Sequence, residues 1–330
     1  MEEEQTTLWK ANLSAVRKNY IKDMSKKTKP INVAAIDIGS NGARLLIKRF
    51  DPDNAVENER IRKMMFIRIP LRLGKDVFSL DKISKERTKM MVHMMKGFKD
   101  FMKLYNVKLY RACATSAMRD AENGKEVMKK IEKATGIELE IIRGQEEARL
   151  LFNNLLEKTG SNKGNFAYID VGGGSTEVSL IHDGELAESY SYNIGTLRML
   201  SGKVKEDTVK LFMENLSKYA TLYEDILIIG SGGNINKLCR LARHSKDDIN
   251  VITLTELNRL HKLLQPMSIE ERKTEFGLKD DRADVIVPAA EIFLKACQYL
   301  KCDSILVPNI SLADSIVDGL MAKQKEKSED

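Results

Sequence analysis

The sequence predicts an α/β protein made of two similar domains that face each other across a cleft. Two observations carry this. First, Val33-Ala-Ala-Ile-Asp37-Ile-Gly-Ser-Asn41 returns as Ala167-Tyr-Ile-Asp170-Val-Gly-Gly-Gly-Ser175, with the two aspartates 133 residues apart. Second, each copy opens a run of strand, turn, strand, turn and strand that gives way to a helical period. A repeat of that length is too long for a solenoid and implies duplicated domains. At 330 residues the chain can bury two cores.

The elements follow in order. Residues 1–30 are polar, with a few apolar positions at helical spacing (Leu8, Leu13, Val16, Tyr20), and read as an appendage ended by Pro30. Val33–Ile38 is a buried strand, Gly39-Ser-Asn-Gly42 a turn and Ala43–Phe50 the next strand. Asp51-Pro-Asp-Asn54 turns into a third strand at Ile61–Ile69. A helix runs from Ser84 as N-cap to Tyr105, because Met91, Met94, Met95, Phe98 and Met102 recur at three- and four-residue spacing. Val107–Ala114 reads as a strand, Glu126–Lys133 as a helix stopped by Gly136, Ile137–Ile142 as a strand and Gln145–Lys158 as a helix.

The second copy repeats the plan. Ala167–Val171, Glu177–His182 and Glu185–Tyr192 are strands, the last two joined by a tight Asp183-Gly184 turn. A helix over Asp207–Tyr223 and a strand over Asp225–Ile229 lead to the turn Gly230-Ser-Gly-Gly-Asn234 and a helix from Asn236. Helices follow at Leu257–Leu264 and Ala283–Leu300, the latter broken or bent near Pro288. A short strand at Ser304–Val307 precedes a final helix over Ser311–Met321 and a charged tail over 322–330. The expected division is 31–158 for the first domain, with the final helix packing back on it, and 159–310 for the second.

Composition excludes several classes. No apolar run approaches the ~20 residues of a membrane span. The opening Met-Glu-Glu-Glu is unlike a signal peptide, so a cytoplasmic setting is expected. Cys113, Cys239, Cys297 and Cys302 form no C-x-x-C pair, and His93, His182, His244 and His261 are scattered, which argues against zinc. The net charge of +6 is concentrated partly between Arg17 and Lys29 and suits a polyanionic partner. No zinc-finger or RNP-like pattern supports nucleic acid.

Three glycine-rich turns, at Gly39, Gly172 and Gly230, each follow a buried strand. Backbone amides at such turns can converge on phosphate oxygens. Neither G-x-x-x-x-G-K-[ST] nor a strand-borne G-x-G-x-x-G occurs, so P-loop and dinucleotide-binding sites are not supported. Asp37, Asp170 and Glu177 stand at strand–turn junctions, and Asp170 and Glu177 flank one turn. Hard oxygen ligands placed there suit Mg²⁺. Glu146 and Glu147 open a helix, where the helix dipole alone accounts for acids. Arg119 follows a strand end, where α/β proteins place their ligands.

Val33–Asn41, Ala114-Thr-Ser-Ala-Met-Arg119, Gly144-Gln-Glu-Glu147-Ala-Arg149 and Ile169-Asp170-Val-Gly-Gly-Gly-Ser-Thr-Glu177 occur in that order. Together they resemble the exopolyphosphatase/guanosine pentaphosphatase (Ppx/GppA) family, within the superfamily of sugar kinases, heat-shock chaperone ATPases and actin. Weaker matches lie at Ile194-Gly-Thr-Leu-Arg198, Gly230–Asn234, Arg282-Ala-Asp284 and Asp318-Gly-Leu. The resemblance spans about residues 31–320. It implies two ribonuclease H-like, actin-like domains with the site between them. It implies Glu147 as the catalytic group that activates water, and Arg119 as a catalytic phosphate contact. It implies Asp170, Glu177 and Asp37 as Mg²⁺ ligands. Gly39, Ser40, Asn41, Gly172, Gly173, Gly174, Ser175, Gly232 and Gly233 become the phosphate-binding turns. The expected activity is release of orthophosphate from polyphosphate ends. A guanosine pentaphosphate 5′-phosphatase is the alternative, and a non-catalytic polyphosphate or nucleotide sensor is another. The family analogy further implies a homodimer. Gly42, Pro288-Ala289 and Leu312-Ala-Asp-Ser315 depart from the family pattern, yet none removes a proposed catalytic group.

Overall fold

Two mixed sheets are built from strands whose residues alternate between cores. The computed structural model describes residues 29–329 apart from 53, 55, 57–59, 145, 148, 151–162, 243–249 and 309–310. The expected appendage, save Lys29 and Pro30, and most of the helix expected over 145–158 lie outside the described residues. Residues 144, 146, 147, 149 and 150 are helical.

The first sheet contains β1 (Ile31–Ile38), β2 (Ala43–Phe50), β3 (Ile61–Ile69), β4 (Val107–Ala114) and β5 (Glu140–Ile141), in the order β3-β2-β1-β4-β5. The second contains β6 (Asn165–Val171), β7 (Thr176–His182), β8 (Glu185–Tyr192), β9 (Ile226–Ser231), β10 (Val251–Thr253) and β11 (Ser304–Leu306), in the order β10-β11-β9-β6-β7-β8. In each, the first three strands pair antiparallel and the next two add in parallel beside the first strand. The repeat read in the sequence is therefore a repeat of topology. Sheet two carries β10 as an extra antiparallel edge. Asp183 and Gly184 both adopt positive φ, 46° and 81°, as the tight turn between β7 and β8 requires.

The described helices are α1 (Leu73–Leu80), α2 (Lys85–Leu104), α3 (Ser116–Asp120), α4 (Gly124–Thr135), α5 (Thr196–Leu200), α6 (Glu206–Leu222), α7 (Gly233–Ala242), α8 (Leu254–Leu264), α9 (Ile269–Phe276), α10 (Asp280–Ala283), α11 (Ile286–Leu300) and α12 (Leu312–Glu329). Ser84 caps α2 by accepting from the Arg87 amide at 3.1 Å, and the methionine stripe of α2 is buried. The sequence reading missed α1, α3, α5, α9 and α10 and the edge strand β10. Helices α1, α3, α5 and α10 are short segments fixed by tertiary contacts. Helix α9 carries a capping box between Ser268 and Glu271 that was legible. The interruption expected near Pro288 is a break before it, between Ala283 and Ile286. Pro288 lies in the first turn of α11, where a missing N–H leaves no bond unmade.

Each sheet has its own core on one face. Ala34, Ile36 and Ile38 of β1 point into the first, with Met91, Met95 and Phe98 of α2. Ala167, Ile169 and Val171 of β6 point into the second, with Phe212 and Phe293. The opposite faces share a third core. Val33 and Ala35 of β1, Tyr168 of β6 and Ile229 of β9 meet there around Leu312, Ala313, Ile316 and Val317 of α12. This two-residue alternation explains why the strands read as continuous apolar runs. α12 lies against β1, β2 and β4. Lys48 of β2, buried there, meets Asp314 at 3.1 Å and Asp318 at 2.8 Å. No helix among the described residues is long and apolar enough to cross a membrane.

Because Ile316 is 1% exposed at the seam between the sheets, Ile316→Ala is expected to lower stability by about 2–4 kcal/mol. A urea titration that leaves the midpoint unchanged would show that α12 does not hold the two sheets together.

Candidate active site

The ends of β1 and β6 bring two glycine turns face to face. Each turn closes in the same way: the Gly39 amide donates to the Gly42 carbonyl and the Gly172 amide to the Ser175 carbonyl, both at 3.0 Å. Each is then clamped by the helix that follows the third strand of its own sheet. Arg72 and Gly74 amides donate to the carbonyls of Asn41 and Ser40, at 3.0 and 2.8 Å. Thr196 and Leu197 amides donate to those of Gly172 and Gly173, at 3.0 and 2.8 Å. Peptide planarity then turns the amides of residues 41, 42, 173 and 174 away from those clamps. The turns also press on each other. A side chain at Gly174 would come within 2.5 Å of Ser116 Oγ and 2.7 Å of Ser40 Oγ, so only glycine fits there.

The strand register fixes the acids. Asp170 of β6 stands opposite Glu177 of β7, and Asp37 of β1 stands opposite Arg44 of β2. Both pairs are seven residues apart, at equivalent places in the two repeats. One copy thus carries two carboxylates and the other an ion pair, since Asp37 Oδ2 accepts from Arg44 Nη1.

Glu147 arrives from the helical turn after Gly144. That glycine lies against Ser191 of β8, where a Cβ would sit 2.0 Å from Ser191 Oγ. The close approach sets Glu147 inward and Glu146 outward. Glu146 pairs with Arg111 at 2.6 Å and is largely exposed, whereas Glu147 is 7% exposed. Carboxylate oxygens of Glu147, Asp170 and Glu177 all lie within 4.8 Å of one another. Glu147 Oε2 is buried without a hydrogen-bond partner among the described residues.

Burial and mutual repulsion shape this trio. Burial, followed by the charges of Glu177, Asp170 and Asp37, holds the Glu147 carboxyl well above the usual range, against the pull of Arg119. Burial pushes Asp170 up to about 6, opposed by Arg44 and a bond with Ser231. Burial and Asp170 push Glu177 up to about 7, opposed by Ser175, Ser191 and Arg119. Ser191 Oγ donates to Glu177 Oε1 at 3.0 Å. Three carboxylates, two buried and one half-buried, with an open oxygen are a donor set that fits a hard divalent cation.

Across the cleft stand cations. Arg44, Arg68 and Arg282 all line it. Burial, then the charges of Arg68 and Arg44, lower the Arg282 guanidinium to about 10. Its Nη1 donates to Asn234 Oδ1 at 2.9 Å. Arg68 meets Asp281 at 2.5 Å.

Of the residues singled out in the sequence, Asp37, Gly39, Ser40, Asn41, Glu147, Asp170, Gly172, Gly173, Ser175, Glu177, Gly232 and Gly233 line this one cleft. Three differ from expectation. Asp37 engages Arg44 and lies outside the carboxylate trio. Gly174 sits behind the turn, its carbonyl accepting from Arg198 Nε at 2.7 Å. Arg119 does not line the cleft; its Nη1 donates to the Ile142 carbonyl at 3.2 Å, and it acts on Glu147 and Glu177 through its charge. The sequence reading missed Arg44, Arg68, Thr115, Ser116 and Ser191. Aligning the two repeats would have found Arg44, which occupies the place of Glu177.

Comparison with known proteins follows this geometry. A family model described as the Ppx/GppA phosphatase family matches residues 54–324. The chain is 27% identical over 317 residues to a bifunctional 3-dehydroquinate synthase/phosphatase of Fusobacterium nucleatum, covering 88% of this chain and 47% of the relative. It is 26% identical to a guanosine-5′-triphosphate,3′-diphosphate pyrophosphatase of Aliivibrio fischeri, over 90% of this chain and 61% of that one. These two relatives therefore extend well beyond the matched region. It is 25% identical to exopolyphosphatase 1 of Mycobacterium tuberculosis, over 87% of each chain. Among solved structures, an exopolyphosphatase from Cytophaga hutchinsonii shares the fold with a TM-score of 0.77 at 24% identity, covering 88% of this chain and 98% of that one. An Aquifex aeolicus family member matches with a TM-score of 0.71 at 24% identity, covering 90% and 99%. With the family match covering most of the chain, from β3 to α12, the chain belongs to the Ppx/GppA phosphatase family.

Proposed function

We propose that this protein hydrolyses phosphoanhydride bonds and releases orthophosphate from the ends of polyphosphate with the help of Mg²⁺. One observation carries the reading: the buried carboxylates of Glu147 and Glu177 and the half-buried carboxylate of Asp170, within 4.8 Å of one another, share a cleft with Arg44, Arg68 and Arg282. A polyanion needs the arginines, and a hydrolytic centre needs the acids. The relative named exopolyphosphatase 1, matched over 87% of its length, supports polyphosphate as the substrate. The relative named as a guanosine-5′-triphosphate,3′-diphosphate pyrophosphatase supports the same chemistry on a nucleotide end as the second reading.

The roles follow from position. Amides of the two glycine turns and the three guanidinium groups hold the terminal phosphate oxygens. Asp37 orients Arg44 for this contact. Asp170 and Glu177 would hold the cation, which supplies charge neutralisation of the phosphate and of the acids themselves. Glu147 Oε2, buried and unbonded, accepts the proton of a water aimed at the terminal phosphorus. Its raised proton affinity makes it a stronger base than an exposed glutamate. Arg119 keeps that carboxyl from rising further. Clamped turns on two sheets fix the line of attack, so positioning and electrostatics lower the barrier. The setting proposed is cytoplasmic, in keeping with four buried free cysteines. A homodimer remains part of the proposal by family analogy.

Three outcomes test this. Glu147→Gln should fold normally and lower kcat by about 10²–10⁴-fold on long polyphosphate; turnover at the wild-type rate would remove Glu147 from the chemistry. Mg²⁺ at about 100 times its Kd should stabilise the protein by roughly 2.7 kcal/mol in thermal melts. That gain should vanish in Asp170→Asn, and a gain kept in full by that variant would place the cation elsewhere. Arg282→Ala should cost about 10- to 100-fold in kcat/KM, the scale of one lost charge-assisted hydrogen bond. An unchanged kcat/KM would separate Arg282 from the substrate. Assays with guanosine pentaphosphate beside polyphosphate rank the two readings, and binding without orthophosphate release from either would favour a sensor.

A further inference from the structure

Outside the cleft, α2 and α4 pack side by side and leave a surface groove of about 500 Å³ between their opening turns. Asn123, just before α4, ties the two helices together by exchanging hydrogen bonds with Ile83 at 2.8 Å. The groove is lined by Lys85, Lys89 and Lys96 from α2 and Lys130 from α4, with His93 between them. All five are exposed. None of these lysines forms an ion pair among the described residues. Glu126 is the acid that lines the groove. Over their full length α2 and α4 carry ten lysines and arginines against four acids. That excess equals the net charge of the whole chain, +6. Such a concentration on two adjacent helices costs self-repulsion that a bound polyanion relieves.

The lining also says which polyanion. Ile83, Val92 and Thr88 form the remaining wall, and no Phe, Tyr or Trp is present in it. Single-stranded nucleic acids are held by bases stacked on aromatic side chains as well as by their phosphates. This groove offers charge without a stacking platform. The lining suits a chain of phosphates without bases better than a single-stranded nucleic acid.

The groove and the cleft are joined by a short piece of chain. Thr115 and Ser116 line the cleft, and Asn123 lines the groove. Eight residues separate Thr115 from Asn123. Even fully extended they span at most about 28 Å, and the α3 turn within them shortens that. A long polyphosphate whose end lies in the cleft can therefore lay a distal stretch in the groove, whereas tripolyphosphate, with its three phosphates engaged at the cleft, has no distal stretch to lay there. We propose that the lysine groove between α2 and α4 is an accessory polyphosphate site that raises affinity for long chains. Its kinetic consequence rests on the hydrolase reading above; its binding does not. Tethering one end raises the effective concentration of the other part of the chain at its own site.

The test replaces Lys89, Lys96 and Lys130 by alanine together and compares long polyphosphate with tripolyphosphate. The expected result is a rise of roughly tenfold in KM for the long chain, from three weak surface contacts acting together. KM for tripolyphosphate and kcat for both should stay as in wild type, and the triple arginine replacement should restore the long-chain KM. Equal changes for both substrates, or none, would overturn the proposal. If the wild-type protein releases no orthophosphate, the hydrolase reading fails and fluorescence anisotropy with labelled long polyphosphate decides the groove. A roughly tenfold weaker, salt-sensitive binding in the alanine variant supports it. Equal affinity of the two proteins, or tighter binding of an RNA of matched charge through these lysines, would overturn it.

Discussion

The structure turns on the gathering of three carboxylates in one place. Glu147, Asp170 and Glu177 come from different elements; the first and last are buried and Asp170 half-buried, although their neighbours repel them. Left alone, such an arrangement is unfavourable. It persists because the surrounding structure overdetermines it. Asp170 and Glu177 are locked across one strand pair. Glu147 is held by a helical turn that Gly144 lets approach Ser191. The site therefore holds mutual repulsion among its acids, offset in part by the charges of Arg44 and Arg119.

The duplication supplies the frame and then departs from symmetry at one position. Both repeats present an aspartate at the end of the first strand, a clamped glycine turn, and a partner seven residues later. In the second repeat the partner is Glu177 and in the first it is Arg44. That single difference places a second carboxylate on β7 where β2 carries a guanidinium paired with Asp37. Glu147 from the first half and Arg282 from the second complete the cleft, so each half contributes both signs of charge.

This division also explains what could be read from the sequence. The strands of the repeated units were legible because each buries alternate residues in two cores, which gives continuous apolar runs bounded by turn residues. The methionine stripe of α2 was legible for the same reason, at helical period. Helices α1 and α5 were not, because they are short and exist to bond the carbonyls of the turns, a tertiary role without a local signature. In the cleft, acids next to glycine turns stood out by motif. The arginines did not, since 54 lysines and arginines offer no local way to tell a buried guanidinium from a solvated one. Arg68 and Arg282 take their places only when the two halves close on each other.

That closure is held by contacts from both repeats. Arg68 and Arg72, at and beyond the end of β3, reach Asp281 and Asp284, each at 2.5 Å, and Asn41 Nδ2 donates to the Asp281 carbonyl at 3.0 Å. Arg198 of α5 reaches back to Asp120 of α3. On the far side α12 fills the core shared by the two sheets. Asn41 and Arg68 thus serve twice, lining the cleft and fastening its walls. The α10 segment they grip also carries Arg282, whose guanidinium lies against Gly233 so closely that a Cβ there would sit 2.1 Å away. Any opening that separates Arg68 from Asp281 must also move Arg282 relative to the first repeat. The charge of the cleft and the position of its walls are thus set by the same residues.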